Sequence, residues 1–282
     1  MGASKGLSVH TRRIISYVVL VIITILCLFW FYVLFINSTR SHADLTKGFT
    51  LLPGAALGKN ISGVLHNNIN VIQGVINSFV IAALTAVLCT YFSTMTGFAI
   101  HAYEFKGKKF IFAFILGIMM IPTQVTALGF LNLIRRMKLI DTFIPLIVPA
   151  IASPVVFYYM KQYMESTLPL ELLEAARIDG ASEFKIFNQI ALPLMRPAIA
   201  VQAIFSFVTS WNNYFTPALV LQSDSKKTLP ILIATLRSAD WAKFDMGVVY
   251  MMITFAILPV IVVYLILSKN IVSGLAVGAV KG

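Results

Sequence analysis

Charge is scarce in this chain of 282 residues: Asp, Glu, Lys and Arg together supply 12% of it, against roughly 25% in a soluble domain. Acids are the rarer sign, 11 against 22 Lys and Arg, for a net charge of +11. A basic soluble protein would point to nucleic acid, but here the cations sit in short clusters between apolar runs. Lipid headgroups, not nucleic acid, are the expected counter-charge. Cysteine is down to Cys27 and Cys89, both inside apolar runs, with neither a disulfide framework nor metal-ligand spacing. The four histidines, His10, His42, His66 and His101, are isolated, which argues against a metal cluster. No Ser-His-Asp arrangement stands out. A phosphate-binding loop is missing too: Gly58-Lys59 comes nearest, but Pro53 and Asn60 occupy its first and last defining positions. The chain is expected to bind no ATP itself.

What is present is apolar. Hydrophobic residues make up 59% of the chain, 21 of them Phe, and the mean hydropathy is +0.87. Crossing a bilayer core takes about 20 apolar residues in a helix. Six windows free of Asp, Glu, Lys and Arg reach that length: 14–39, 60–100, 110–134, 142–160, 197–223 and 246–268. The second opens with polar residues, so its span is placed near 76–99. Backbone groups in lipid must be satisfied internally, and without alternating strand patterns the chain should make helices, not a barrel. The expectation is an all-α polytopic membrane protein with six transmembrane helices. The first window follows Lys5, Arg12 and Arg13 but is too long for a signal peptide's apolar region and lacks a small-x-small site after it. It reads as a retained helix, its FWFYVLF stretch suited to an interfacial belt.

With the N-terminus inside, twelve basic residues fall on the cytoplasmic side and ten outside. The cations ahead of the first helix and the Lys106–Lys109 cluster favour that orientation, whereas Arg135–Lys138 opposes it. No acid lies well inside a predicted span, and Asp141 sits at a helix edge. Proton coupling needs a titratable group at membrane depth, so energy for uphill transport should enter elsewhere. Sodium coupling is less constrained, because Asn, Thr and carbonyls also bind that ion.

Between the fourth and fifth windows, residues 165–196 hold five of the eleven acids at their start. Pro169 suits a helix start. Leu170, Leu173, Ala176 and Arg177 recur at helical spacing, broadened by Leu172, Ala175 and Ile178. Gly180 falls where a left-handed terminus is wanted, and Ser182 can cap a second helix whose Phe184, Phe187 and Ile190 share a face. Pro193 and Pro197 end it. The product is a helix–turn–helix with an apolar knob and an acidic rim. An amphipathic loop packed on its own bundle would read the same way from composition alone.

The spacing is more specific. Glu174-Ala175-Ala176, Gly180, Ile190 and Leu192-Pro193 resemble, residue for residue, the EAA loop of the permease subunits of bacterial ABC importers. Asp179 and Ala181-Ser182 resemble its carbohydrate branch, as do Met119–Pro122, Trp211-Asn212 and the tail Gly274–Gly282. The resemblance spans nearly the whole chain and is nearest to maltose-type permeases. It implies a cytoplasmic coupling helix seated in a groove of a separate ATPase, built by Glu174, Ala175, Ala176, Asp179, Gly180, Phe184, Ile190, Leu192 and Pro193. It also implies a homologous second permease, two ATPase subunits that bind ATP and magnesium, and an extracytoplasmic solute-binding protein. The implied location is the bacterial inner membrane, multi-pass, with both termini cytoplasmic. Residues 1–71 would then form the N-terminus, first span and external loop. Residues 72–282 would form the permease core with five spans, the coupling loop and a C-terminal tail. The chain itself would be a non-catalytic transport subunit without a cofactor.

Polar residues inside a span are costly and carry a functional expectation. The densest set runs from Thr209 to Tyr214, with Trp211 about 21 Å along the fifth helix from its cytoplasmic end. Trp211, Asn212, Asn213 and Tyr214 offer rings for sugar C–H faces and amides for hydroxyls, and so are the candidate solute path. Interfacial anchoring and helix-to-helix amide bonds are the other reading. Pro122, Pro145, Pro149 and Pro154 should break or kink the third and fourth spans. The implied cargo is a sugar or oligosaccharide. A polyol or glycerol phosphate importer, or a sodium-coupled carrier, are the alternatives.

Overall fold

The computed structural model describes residues 9–66, 70–237 and 245–279. Lys5, Asp240, Lys243, Lys281 and the end of the tail motif, Val280–Gly282, lie outside the described residues. Fifteen α-helices follow one another, with no strand among the described residues. They are α1 (Val9–Ser38), α2 (His42–Thr46), α3 (Leu57–Leu65), α4 (Val71–Ala102) and α5 (Lys108–Ile118). Next come α6 (Thr123–Arg136), α7 (Ile144–Ile147), α8 (Pro154–Thr167), α9 (Leu170–Ile178) and α10 (Glu183–Ile186). The chain ends with α11 (Leu192–Leu194), α12 (Arg196–Trp211), α13 (Phe215–Val220), α14 (Leu229–Arg237) and α15 (Met246–Ala279).

Four helical stretches are long and apolar enough to cross a bilayer: Thr11–Ser38, Val71–Ala102, Ile144–Thr167 and Met246–Lys269. Two bent pairs bring the number to six, Lys108–Ile118 with Thr123–Arg136 at 97° and Glu183–Leu194 with Arg196–Trp211 at 80°. The third window is thus broken at Met119–Pro122, where Pro122 is extended ahead of α6. A residue preceding proline is pushed out of the α region, and proline itself donates no N–H to the turn before it. Pro145, Pro149 and Pro154 divide the fourth window into α7, a 3-10 stretch Val148–Ala152, and α8. Both breaks fall where the prolines predicted them.

Two boundaries differ from expectation. The second span begins at Val71, not 76, because the Asn70 side chain accepts the Gln73 N–H at 3.0 Å and caps it. The fifth does not run unbroken over 197–223. It stops at Trp211, and the Asn213 Oδ1 takes the Thr216 N–H at 3.3 Å to begin α13. An Asn side chain competes with the helical ladder for backbone partners, so it favours helix ends over interiors.

The chain forms two compact units, Met1–Ile69 with Leu236–Phe255, and Asn70–Thr235 with Ala256–Gly282. In the first, Arg40 is buried and its guanidinium donates to Asn37 Oδ1 (3.3 Å), the Asp44 carbonyl (2.5 Å) and the Gly48 carbonyl (2.9 Å). Asn60, fully buried, donates to the Ser38 and Arg40 carbonyls at 2.8 and 2.9 Å. Gly247 is required there, since a Cβ would come within 2.6 Å of the Arg40 carbonyl. Asn60 is therefore a structural amide that ties α3 to the end of α1.

In the second unit α4 is central: one face is buried in the bundle, small and polar residues such as Ser78, Ser93 and Thr94 included, while Ile72, Ile76, Leu84 and Val87 form an exposed apolar face of the kind a bilayer covers. Its Cys89 and Phe98 join Phe157, Met160, Met164, Leu173, Ile186 and Phe187 in one core, which ties α4 and α8 to the segment 168–195. Gly97 lets the Lys161 backbone approach, a Cβ there meeting its nitrogen at 3.3 Å.

Candidate functional site: a helical elbow and a polar helix face

The elbow is α9, a turn at Asp179–Ser182, and α10. Leu173 and Ala176 lie three residues apart on one face of α9 and are buried in the core. Leu170, Leu172, Glu174, Ala175 and Ile178 point away from it. The two alanines therefore part company. Ala175 stays on the outer surface, but Ala176 does not: its small side chain serves contact with its own bundle. Glu174 is exposed and makes no ion pair among the described residues.

The turn is closed by two backbone bonds, Gly180 N–H to the Arg177 carbonyl and Ala181 N–H to the Ala176 carbonyl, each 3.0 Å. That pairing is a Schellman terminus, and it needs a left-handed residue at Gly180, whose φ is +78°. Asp179 is the C-cap residue between α9 and Gly180. Ser182 then caps α10 by accepting the Lys185 N–H at 3.4 Å. Ile178 (87% exposed) and Phe184 (69%) form an apolar knob on either side of the turn.

Phe184, Phe187 and Ile190 do not share one face. Phe187 is buried, its ring 5.5 Å from that of Phe98 and 5.6 Å from that of Tyr91, while Ile190 is half-buried. The cause is a π turn over Phe187–Ala191, where the Leu192 N–H reaches back to the Phe187 carbonyl and shifts the helical phase by one residue. Leu192 and Pro193, both half-buried, follow it.

Three side chains on the second half of α4 and its C-cap hold the elbow and the residues flanking it. The Tyr91 hydroxyl donates to Asn188 Oδ1 at 3.2 Å. A His101 ring N–H donates to the Leu168 carbonyl at 2.9 Å, just ahead of Pro169. The Tyr103 hydroxyl donates to Glu183 Oε2. Arg177 completes that last group, its Nε 2.7 Å from Glu183 Oε1 and its guanidinium carbon 5.4 Å over the Tyr103 ring. Arg177 and then Tyr103 hold the Glu183 carboxyl below its ordinary value. Burial first, and Glu183 second, push the Tyr103 phenol above its own. These α4 partners escaped the sequence reading. They lie 67–97 residues from what they bind, and no local pattern marks them.

On α12 a second face gathers polar groups. Gln202, Ser206, Thr209, Ser210 and Asn213 line a cavity of about 370 Å³ together with Thr85, Cys89 and Ser153. Asn213 also borders a larger cavity of about 660 Å³ lined by Thr123, Thr126, Phe130 and Thr216. Neither has a charged residue in its lining. Gln202 and Ser206 were not singled out from sequence, yet their spacing with 209, 210 and 213 is one helical stripe in an apolar window.

Trp211 is not on that face. It is 2% exposed, stacked on Phe207 at 5.7 Å, and its indole N–H donates to the Ala256 carbonyl at 3.1 Å. With its ring and its N–H both committed to packing, it is a structural residue here and offers no stacking platform to a solute. Asn212 and Tyr214 are exposed just past the helix end, and Asn213 lines both of these cavities. Among the described residues no group of three or more His, Cys, Asp or Glu could hold a metal ion.

Comparison with known proteins places this architecture. Residues 90–277 match the family model described as binding-protein-dependent transport system inner membrane component. The chain is 36% identical over 273 residues to the arabinooligosaccharides transport system permease protein AraQ of Bacillus subtilis (strain 168), covering 96% of each chain. It is 32% identical over 272 residues to the sn-glycerol-3-phosphate transport system permease protein UgpE of Brucella abortus (strain 2308), covering 93% of this chain and 95% of that one. Its fold is that of a chain in a bacterial ABC transporter involved in alginate import, with a TM-score of 0.78 over 95% of this chain and 99% of the other at 23% identity. A helical membrane bundle bearing the elbow sequence, matched along nearly its full length, belongs to the family of binding-protein-dependent transport system inner membrane components.

Proposed function

We propose that this chain is the permease subunit of an ATP-driven importer of a sugar or oligosaccharide, forming half of the translocation path. The carrying observation is the elbow. Its knob, Ile178 and Phe184, and its unpaired Glu174 face outward, while α4 grips it from behind through His101 and Tyr103. Such a surface suits a groove in an ATPase subunit. Buried apolar side chains there would supply affinity, and Glu174 would accept charge-assisted hydrogen bonds from the partner. Ala175, Asp179 and Gly180 shape the contact, and Ile190, Leu192 and Pro193 lead it back to the fifth span.

Closure of the ATPase pair on ATP would carry the elbow with it. The His101 and Tyr103 bonds pass that displacement to α4, and the bundle switches between inward and outward access as a rigid body. ATP and magnesium belong to the ATPase subunits, and this chain is non-catalytic. A homologous second permease completes the path, an extracytoplasmic binding protein delivers the solute, and the elbow and both termini lie in the cytoplasm. Residues 1–71 form a peripheral first span and external loop, and 72–282 the transport core. Similarity to an arabinooligosaccharide permease along the whole chain supports a sugar cargo. Similarity to a glycerol phosphate permease supports the alternative cargo.

The test is reconstitution. Co-expressed with its neighbouring transport subunits, the chain should copurify with an ATPase and drive uptake in proteoliposomes that requires ATP and the binding protein. Purified alone it should hydrolyse no ATP. Glu174→Lys should abolish uptake while the chain still accumulates in the membrane. Uptake driven by an ion gradient without an ATPase would refute the reading.

A further inference from the structure

Gln202 is 8% exposed, and among the described residues its amide has no hydrogen-bond partner. It opens on the cavity of about 370 Å³. An amide carries two donors and a carbonyl acceptor, and those of Gln202 stay accessible from the cavity, free to meet a solute's hydroxyls. Its neighbours on the stripe, Ser206, Thr209 and Ser210, run about 12 Å up the same helix face. Ser206 makes only a 3.6 Å contact with Cys89 Sγ in the described set. Asn213 closes the row where α12 ends. Phe205 adds an apolar wall, and no acid or base lines the space.

From these groups we infer that α12 carries a hydrogen-bonding track for an uncharged, hydroxyl-rich solute, with Gln202 as its inner contact. The inference rests on the permease reading above and deepens it. A Gln amide can donate to one hydroxyl and accept from its neighbour, which is the pairing a sugar ring presents on adjacent carbons. Phe205 suits the ring's C–H surface. A phosphorylated solute would meet no cation in this cavity, and a buried charge without a partner is strongly disfavoured. The track therefore selects neutral sugars over glycerol phosphate. Hydroxyl and amide groups repeated along one face let a solute exchange one partner for the next as it moves, with no deep trap at any single site.

The experiment uses the full transporter in proteoliposomes, with arabino- and malto-oligosaccharides and sn-glycerol 3-phosphate as probes. Native assembly should import a neutral oligosaccharide, and glycerol phosphate should neither be carried nor compete. Gln202→Leu should raise the KM for that oligosaccharide about 3- to 10-fold, the range for loss of one hydrogen bond. Gln202→Asn should recover part of it. In a transporting Cys27→Ser, Cys89→Ala background, Gln202→Cys should react with a small water-soluble thiol reagent and be protected by the same oligosaccharide. Import of glycerol phosphate alone, an unchanged KM, or a cysteine that is unreactive or unprotected would each overturn the track. If Gln202→Leu does not accumulate, the cysteine protection decides. Failure of the native assembly to use ATP at all would instead strike the permease reading.

Discussion

Arg177 Nε stands 2.7 Å from Glu183 Oε1, so a side chain on one arm of the elbow holds the first residue of the other. Both groups are partly open to water, Arg177 32% and Glu183 46% exposed. Screening limits such a pair to about 0.2–1 kcal/mol of stability. Its value lies in geometry: with Tyr103 it fixes the angle between the arms and their attachment to α4. Arg177→Ala should therefore leave folding and ATPase assembly nearly intact yet cut coupled uptake several-fold per ATP hydrolysed. The swap Arg177→Glu with Glu183→Arg should restore part of the coupling. Equal uptake per ATP in the single variant and the native chain would remove the pair from the mechanism.

Gly180 faces open space, with nothing within 4 Å of a Cβ built there, so crowding imposes no penalty and only its φ of +78° does. A left-handed conformation costs an ordinary L-residue about 1–2 kcal/mol, and a β-branched one more. Uptake should fall in the order Gly180→Asn, Gly180→Ala, Gly180→Val, because Asn tolerates this region best. Membrane abundance should stay level across the series. An unordered series, or Val performing as well as Asn, would contradict the role of the turn.

Trp211 makes the opposite prediction to the one its composition invites. Gln202 should set the KM, whereas Trp211 should set stability. Trp211→Ala removes a buried ring and should cost about 3–5 kcal/mol. Trp211→Phe keeps most of the volume and loses only the bond to the Ala256 carbonyl, which helix α15 also engages, for about 0.5–1.5 kcal/mol. Thermal unfolding in detergent should show both losses, with the KM of surviving transporter unchanged.

Asp141 gives a pH signature outside the membrane span. The Ser223 hydroxyl, the Gln222 and Ser223 N–H groups and Lys226 hold its carboxyl well below the ordinary 3.8. A carboxylate lowered in this way stabilises the fold fully above its unfolded pKa and loses that contribution as pH falls through the folded one. Asp141→Asn should therefore lower the melting temperature at pH 7, and the gap from the native chain should narrow steadily below about pH 4. A gap that is constant from pH 7 to 3 would mean that ionisation plays no part.

The features that sequence disclosed are those that a few neighbouring residues decide. Pro122 breaks the third span and Gly180 turns the elbow through their own backbones, and Ser182 caps its second arm through its own hydroxyl. Apolar windows located the spans because bilayer thickness sets helix length. What escaped depends on distant partners. Tyr103 could not be tied to Glu183, nor His101 to Leu168, before the fold set α4 beside the elbow. Ala176, placed at a partner contact by resemblance, and Trp211, placed on a solute path by residue type, are both buried against neighbours in their own bundle. Gln202 is the reverse case: its spacing from Ser206, Thr209 and Asn213 is present in the sequence, but a lone amide in an apolar window gains meaning only beside the cavity it lines.

The π turn at Phe187–Ala191 accommodates one residue more than an α turn would. Inserting or deleting a residue in the regular α turns beside it would instead rotate everything before it by about 100° relative to what comes after. Ile178 and Phe184 would then swing a quarter-turn or more out of alignment with the fifth span. Length in those flanking turns is therefore constrained, because an indel would dial the knob to a bearing at which no docking cleft waits.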